Sequence, residues 1–325
     1  MTDLTTKYLG LTLKHPLIAA SSGLTGKLDS IKKLASAGVS AIVLKSLFEE
    51  QIAAESEKMN EAFQWDPEAQ AWIEAMNKEA AAADYLKLIE QSKKETEIPI
   101  IASINCSHVG PWGEFAKKIE LAGADALELN IGRLPQSIDE TASDIENSIV
   151  SIVEQVCAEV QLPVAVKISS QYTNPGLLAK RVVKAGAKGI VLFNRFYRLD
   201  IDLDTLSLTS GPIKSSPELY HESLRWIALL KGQIDADFAA SGGVYDEETV
   251  LKMVSAGASV VELCSVLYAK GFSAVGSIID GMITLLRKHN ITSLDSLRGR
   301  LAAQNTKDRE AYNRLQYIKA FIGHE

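Results

Sequence analysis

The apolar positions of this chain fall in short continuous runs separated by longer stretches of helical periodicity. One phrase recurs between them: Ala-Gly with one more small aliphatic residue, then an apolar run. It occurs at Ala37-Gly38-Val39, Ala122-Gly123-Ala124, Ala185-Gly186-Ala187 and Ala256-Gly257-Ala258. Glycine there suits a helix C-terminus, where the chain turns through positive φ. The runs that follow are Ala41–Lys45, Asp125–Asn130, Gly189–Phe193 and Ser259–Cys264. They are apolar and often β-branched, as strands covered on both faces should be. Four further runs fill the gaps: Leu17–Ser21, Ile98–Ile104, Pro163–Ile168 and Ala236–Ala240. Pro16, Pro99 and Pro163 stand at or near the starts of three of them, which suits a strand start.

Eight short strands alternating with helical stretches argue a parallel sheet. Eight such units in roughly 250 residues argue an α/β fold closed as a (β/α)8 TIM barrel. The alternative is an open doubly wound sheet. That usually shows a glycine-rich turn after the first strand, and Ser21-Ser22-Gly23-Leu24-Thr25-Gly26 is only a partial version. The spacing is uneven after the second strand. The segment 47–96 is acidic, alanine-rich and helical in pattern, and carries Trp65, Trp72 and Tyr85. It holds one barrel helix plus an inserted helical segment on the C-terminal face, either a decoration and oligomer contact or a lid. A second extension, Asn194 to Pro217, follows strand six. The tail beyond about Asn290 reads as a terminal helical region. Residues 1–325 are expected to form a single domain.

Composition narrows the partners. Of 325 residues, 46% are hydrophobic and 23% charged, as in an ordinary globular protein. The net charge of −7 argues against nucleic acid, which needs a basic surface, and against anionic membranes. The N-terminus lacks a signal-peptide pattern and no long uncharged apolar stretch occurs, so a cytoplasmic protein is expected. Three scattered cysteines, Cys106, Cys157 and Cys264, make no CxxC and read mainly as buried small hydrophobes. The five histidines make no ligand pair, which disfavours a metal centre.

Residues at the C-terminal ends of barrel strands face the active site. Those ends read Ser21-Ser22-Gly23, Lys45-Ser46, Asn105-Cys106, Glu128-Leu129-Asn130, Lys167 with Ser169-Ser170, Asn194-Arg195, Ser241-Gly242-Gly243 and Cys264-Ser265. Lys45 and Lys167 end or interrupt apolar strands, where a lysine must be paired or used. A rim ion pair, for instance with Glu128, is the structural alternative. Glu128 is the only carboxylate read at a strand end, so paired-carboxylate glycosidase chemistry lacks its partner. The Gly-Gly after strand seven, backed by Cys264-Ser265, suits the phosphate site of this fold. Phosphate, lysine and amide donors together fit flavin mononucleotide (FMN), whose reduced ring a lysine stabilises.

In order along the chain, Ser-Ser22-Gly23, Leu-Lys45-Ser46, Leu-Glu-Leu-Asn130, Val-Lys167 and Ser241-Gly242-Gly243 with Cys264-Ser265 resemble the dihydroorotate dehydrogenase family, from about residue 7 to 300. The class 1-like resemblance implies an FMN-dependent (β/α)8 barrel acting on CH–CH bonds in pyrimidine metabolism. It implies that Ser22 and Gly23 lie against the flavin ring, and that Lys45, Ser46, Asn130 and Lys167 contact it. Ser215, Ser241, Gly242, Gly243, Cys264 and Ser265 would hold the phosphate side, Ser215-Ser216 standing where the family has a glycine pair. Lys45, Asn130 and Asn194 would bind substrate.

Two departures mark a divergent, dihydroorotate dehydrogenase-like branch. Where class 1 members carry the catalytic cysteine, this chain has Asn130-Ile131-Gly132-Arg133-Leu134-Pro135, and arginine stays protonated at ordinary pH. The Asn-x-x-Gly-Leu-x-Asn segment that grips orotate is replaced by the insertion. The catalytic base is thus unassigned, with Arg133, Cys106 and Tyr172 as weak candidates; Arg195 and Tyr197 are further loop residues that could reach the substrate. The expected function is hydride transfer between FMN and a small unsaturated, pyrimidine-like molecule, in a protein that self-associates as a homodimer. The alternatives are a Schiff-base lyase using Lys167 and a barrel that binds flavin or a phosphate ligand without catalysis.

Overall fold

The computed structural model describes residues 2–48, 82–106, 112–195, 199–212 and 214–305. Its centre is a closed ring of eight parallel strands, here β1 (Leu17–Ala19), β2 (Ile42–Val43), β3 (Ile100–Asn105), β4 (Ala126–Asn130), β5 (Val164–Ser169), β6 (Gly189–Asn194), β7 (Asp237–Ser241) and β8 (Val260–Leu263). Each pairs with its neighbours in sequence and β8 pairs with β1, which closes the (β/α)8 TIM barrel. All eight lie within the runs expected from the sequence or overlap them. The four Ala-Gly phrases end their helices with Gly38, Gly123, Gly186 and Gly257 at φ between +90° and +128°.

Strand two departs from expectation. It pairs over only two residues, breaks at Leu44–Ser46, and resumes as Leu47–Phe48 beside Ile104 and Asn105. The break leaves the Ser103 N–H and C=O without a strand partner on the side facing β2. Tyr85, from the helix over 82–95, fills it: its hydroxyl accepts from Ser103 N at 2.7 Å and donates to Ser103 O at 2.8 Å. A buried ladder group must find some partner, and here a side chain supplies it.

The barrel interior is stacked in layers. At the N-terminal end Ile18, Val43, Ile101, Ala126, Ala165, Val191, Ala239 and Val260 pack with Tyr8, Leu9 and Leu13. Those last three belong to an N-terminal hairpin, Thr6–Tyr8 paired with Leu11–Leu13, which plugs this end. Gly189 makes room for the plug, since a Cβ there would stand 2.8 Å from Leu9 Cδ2. Two residues further along the strands, Glu128, Lys167 and Glu262 project to the same interior. Between strands and helices lies the larger apolar core, which includes Ile31, Ile89, Ile149, Leu178, Ile227, Val250 and Met282.

Of the segment 47–96, residues 82–95 form the helix that carries Tyr85 and Ile89 inward. The remainder of the expected insertion, with Trp65 and Trp72, lies outside the described residues apart from its edges. The extension after β6 contains an antiparallel hairpin, Leu199–Asp202 with Ser207–Ser210, exposed along most of its length. The tail is not one helix as far as it is described: a short helix, Leu294–Leu297, is followed by a 3-10 turn, Ala303–Asn305. No helix among the described residues is long and apolar enough to cross a membrane.

Candidate active site

At the C-terminal mouth of the barrel a cavity of about 550 Å³ opens, within the size range of cofactor sites. Its walls come from strand ends that the alternation of β and α brings to one face. Ser21, Ser22 and Gly23 follow β1, Lys167 and Ser169 come from β5, and Phe193 and Asn194 from β6. Ser241 and Gly242 end β7, Cys264 and Ser265 follow β8, and Ser215 closes the far side.

The turn after β7 is built for close backbone approach. Gly242 and Gly243 take φ of +94° and +68°. A Cβ on Gly243 would collide with backbone of the 217–220 turn, 2.7 Å from Pro217 O, whereas nothing lies within 4 Å of a Cβ on Gly242. Gly243 therefore locks the turn and Gly242 faces the cavity. Asp246 caps the following helix, Glu247–Ala256, by accepting from Thr249 N at 2.8 Å. Opposite, Ser265 Oγ accepts from Ser215 N at 2.9 Å and lies 2.7 Å from Ser215 Oγ. Tyr245 donates to Ser215 O at 2.7 Å. Two hydroxyls and a glycine turn thus meet at one end of the cavity.

The same cavity also borders a charged cluster. Lys167 Nζ donates to Glu262 Oε2 at 2.5 Å and stands 3.5 Å from Glu128 Oε1. Burial alone would lower the lysine, but the two carboxylates outweigh it and raise it. Burial, then the charge of Glu262, push Glu128 up to about 8 against the pull of Lys167. Glu128 is the carboxylate read at a strand end, but it is not alone inside the barrel. Glu262, in mid-strand β8, reaches the same ammonium. The expected rim ion pair exists, and the raised lysine lacks the free amine that a Schiff-base nucleophile needs.

The structure sorts the candidate residues. Ser22, Gly23, Lys167, Ser215, Ser241, Gly242, Cys264, Ser265 and Asn194 line one cavity. Lys45, Ser46, Asn130 and Gly243 do not line it. Lys45 lies against Gly26, whose added Cβ would stand 3.1 Å from Lys45 Cδ. Ser46 is buried in a hydroxyl chain with Ser21 and Ser103. Asn130 ends β4, and its Oδ1 is buried with no hydrogen-bond partner. Cys106 is fully buried in the layer between strands and helices, so the structure does not bring it to the cavity. Arg133 and Tyr172 line a separate pocket of about 290 Å³ that shares Ser169 and Gln171 with the main one. There Arg133 is paired with Glu140, and the Tyr172 hydroxyl, pushed up to about 12 mainly by burial, donates to Arg133 O at 3.4 Å. Tyr197 lies outside the described residues. Tyr268 was not singled out by the sequence; it lines the cavity and its hydroxyl would meet a Cβ on Gly23 at 3.0 Å.

A family profile described as dihydroorotate dehydrogenase matches residues 3–286. The chain belongs to this family. Among its relatives is the dihydroorotate dehydrogenase B (NAD(+)) catalytic subunit of Thermoplasma acidophilum, 25% identical over 305 residues that cover 92% of this chain and 99% of the relative. The subunit of the same name from Methanocaldococcus jannaschii is 27% identical over 301 residues, 89% of this chain and 95% of the relative.

Proposed function

We propose that the protein is an FMN-dependent oxidoreductase that transfers a hydride between the flavin and a carbon–carbon bond of a small unsaturated, pyrimidine-like molecule. One observation carries the reading: a single cavity is lined by Lys167, by the Gly242 turn and by Ser215 and Ser265. The fit to FMN is supported by the turn at Gly242, where a Cβ would meet nothing within 4 Å, so that its backbone is open to an anion.

When bound, FMN supplies the hydride chemistry. The chain's residues hold and exclude. Gly242, Ser265 and Ser215 would hold the phosphate, and Ser22 and Gly23 the ring. Lys167 would place positive charge beside the ring's pyrimidine edge, and its two carboxylates fix its direction. Asn194, on the same wall, would orient the substrate, whereas Lys45 and Asn130, following β2 and ending β4, lie outside the cavity lining. Arg133 cannot accept a proton at ordinary pH, and Tyr172 is held too high to act as a base. Both can donate hydrogen bonds. Hydride delivery to a double bond also needs a proton at the second carbon, which the neutral Tyr172 hydroxyl could give and Arg133 could not.

The test is anaerobic. Reduced holoprotein is mixed with orotate, uracil or fumarate, and oxidised holoprotein with dihydroorotate, while flavin absorbance is followed. Reoxidation by an unsaturated probe, without bleaching by dihydroorotate, is expected. A flavin that exchanges electrons with none of them favours the non-catalytic reading, and rapid bleaching by dihydroorotate contradicts the role given to Arg133.

A further inference from the structure

The ion cluster beneath the cavity has charges that do not cancel. Glu128, Lys167 and Glu262 come from β4, β5 and β8, and all three are buried. Both carboxylates lie on one ammonium, at 3.5 and 2.5 Å. The remaining oxygen of Glu262 and the Oε1 of Glu128 have no hydrogen-bond partner among the described residues. The other ionisable groups around the cluster do not supply a second contacting cation. Tyr8 of the plug, raised mainly by burial with added push from Glu128 and Glu262, lies below. Tyr85, raised by burial, faces Glu128 from the helix over 82–95. Asp237 is engaged by Leu9 N and Ser259 Oγ. Cys264 is raised by burial and lies near Lys167, with Arg195 acting on it from the loop after β6. Two buried carboxylates on one cation leave a negative charge unless one of them is protonated.

A row of hydroxyls leads from the cavity toward Glu128. Ser21, on the cavity wall, lies 3.0 Å from Ser46 Oγ, which lies 2.7 Å from Ser103 Oγ. Ser103 sits directly across the β3–β4 ladder from Glu128, and both share the interior phase of their strands.

We propose that Glu128 is a redox-linked proton site: its carboxylate takes up a proton as negative charge develops on a flavin above Lys167, and gives it back on reoxidation. This rests on the FMN reading. Nearby negative charge favours the neutral form of a carboxyl, which sets the direction. Where Glu128 is ionised in the oxidised protein the balance is two electrons and two protons per reduction; where it is already protonated only the flavin's proton is taken up. The electrons come from a substrate hydride or an added reductant. One proton ends on the flavin and one on Glu128, the latter drawn from solvent through the cavity.

The test is the midpoint potential of the FMN holoprotein, measured with equilibrating dyes from about pH 7 to about pH 9. For a two-electron couple each proton taken up changes the equilibrium tenfold per pH unit, about 30 mV, and two protons give about 59 mV. The wild type is expected to steepen from about 30 toward about 59 mV per pH unit as Glu128 ionises in the oxidised form. Glu128→Gln is expected to stay near 30 mV throughout. Glu262→Gln should do the same, because Lys167 then keeps Glu128 ionised in both states. A straight wild-type line near 30 mV, or a steep slope that survives Glu128→Gln, overturns the proposal; the wild-type line decides alone if a variant does not fold. A protein that takes up no FMN fails earlier, before any potential is read, and takes down the cofactor reading as well.

Discussion

Gly242 and Gly243 are neighbours with different tasks, and alanine at each should show it. At Gly243 the new Cβ would press on the Tyr220 amide nitrogen and stand 2.7 Å from Pro217 O and 3.1 Å from the Leu219 carbonyl carbon. These are backbone atoms and cannot rotate away. Left-handed backbone costs an alanine ~1–2 kcal/mol, and forced overpacking adds ~1–3 kcal/mol. Gly243→Ala should therefore lose about 2–5 kcal/mol of unfolding free energy. At Gly242 no atom lies within 4 Å of the new Cβ, so only the φ of +94° is charged against it. That variant should lose only about 1–2 kcal/mol. Its methyl group would instead stand in the cavity, where the phosphate is expected, and FMN should bind at least about tenfold more weakly. Urea unfolding of both apo variants and FMN titration of Gly242→Ala give the two readings. A Gly243→Ala protein as stable as wild type would refute the claim that the 217–220 turn is locked on that glycine. Unchanged FMN affinity in Gly242→Ala would remove the anion from this turn.

Three further outcomes are expected. Glu128 has an ordinary value of 4.5 and the fold raises it to about 8, so folding favours its protonated form; that contribution is complete below 4.5 and lost as pH rises through about 8. Urea midpoints of wild type should therefore fall across that window relative to Glu128→Gln, and parallel curves would contradict it. Lys167→Met strands two buried carboxylates and should cost about 3–5 kcal/mol near neutral pH, partly recovered in acid as they protonate; an equal loss at every pH would argue against stranded charge. Cys264 borders the cavity, Cys106 is fully buried, and burial pushes Cys157 up to about 11. Maleimide at mildly alkaline pH, read by peptide mass spectrometry, should label Cys264 before the other two, and FMN should protect it; equal labelling with FMN present would place the cofactor elsewhere.

The eight strands were legible because parallel strands buried on both faces are written as unbroken apolar runs, and Ala-Gly marks the turn before four of them. The glycine turn after β7 and the Lys167 position followed once the strands were counted. The break in β2 was not legible, since its repair comes from Tyr85, far along the chain. Glu262 was missed because it sits in mid-strand among Val260, Val261 and Leu263 rather than at an end. A signal was available: Ala126 and Glu128, Ala165 and Lys167, and Val260 and Glu262 are each two residues apart, so all three charged residues share the interior phase of their strands. The hairpin plug escaped notice because its two strands are three residues each, joined at Leu9 and Gly10 with φ of +52° and +77°. Cys106 misled because a strand-end position was read as cavity-facing, whereas its side chain falls on the outward phase.

The central claim is that the barrel mouth holds FMN by its phosphate, and a paired titration with FMN and riboflavin tests it most directly. Calorimetry or flavin fluorescence should give one FMN per chain, bound far more tightly than riboflavin. Each charge-assisted hydrogen bond to phosphate is worth about 1.5–3 kcal/mol, so riboflavin should bind at least about tenfold more weakly. No saturable flavin binding, or equal affinity for the two, would contradict the account.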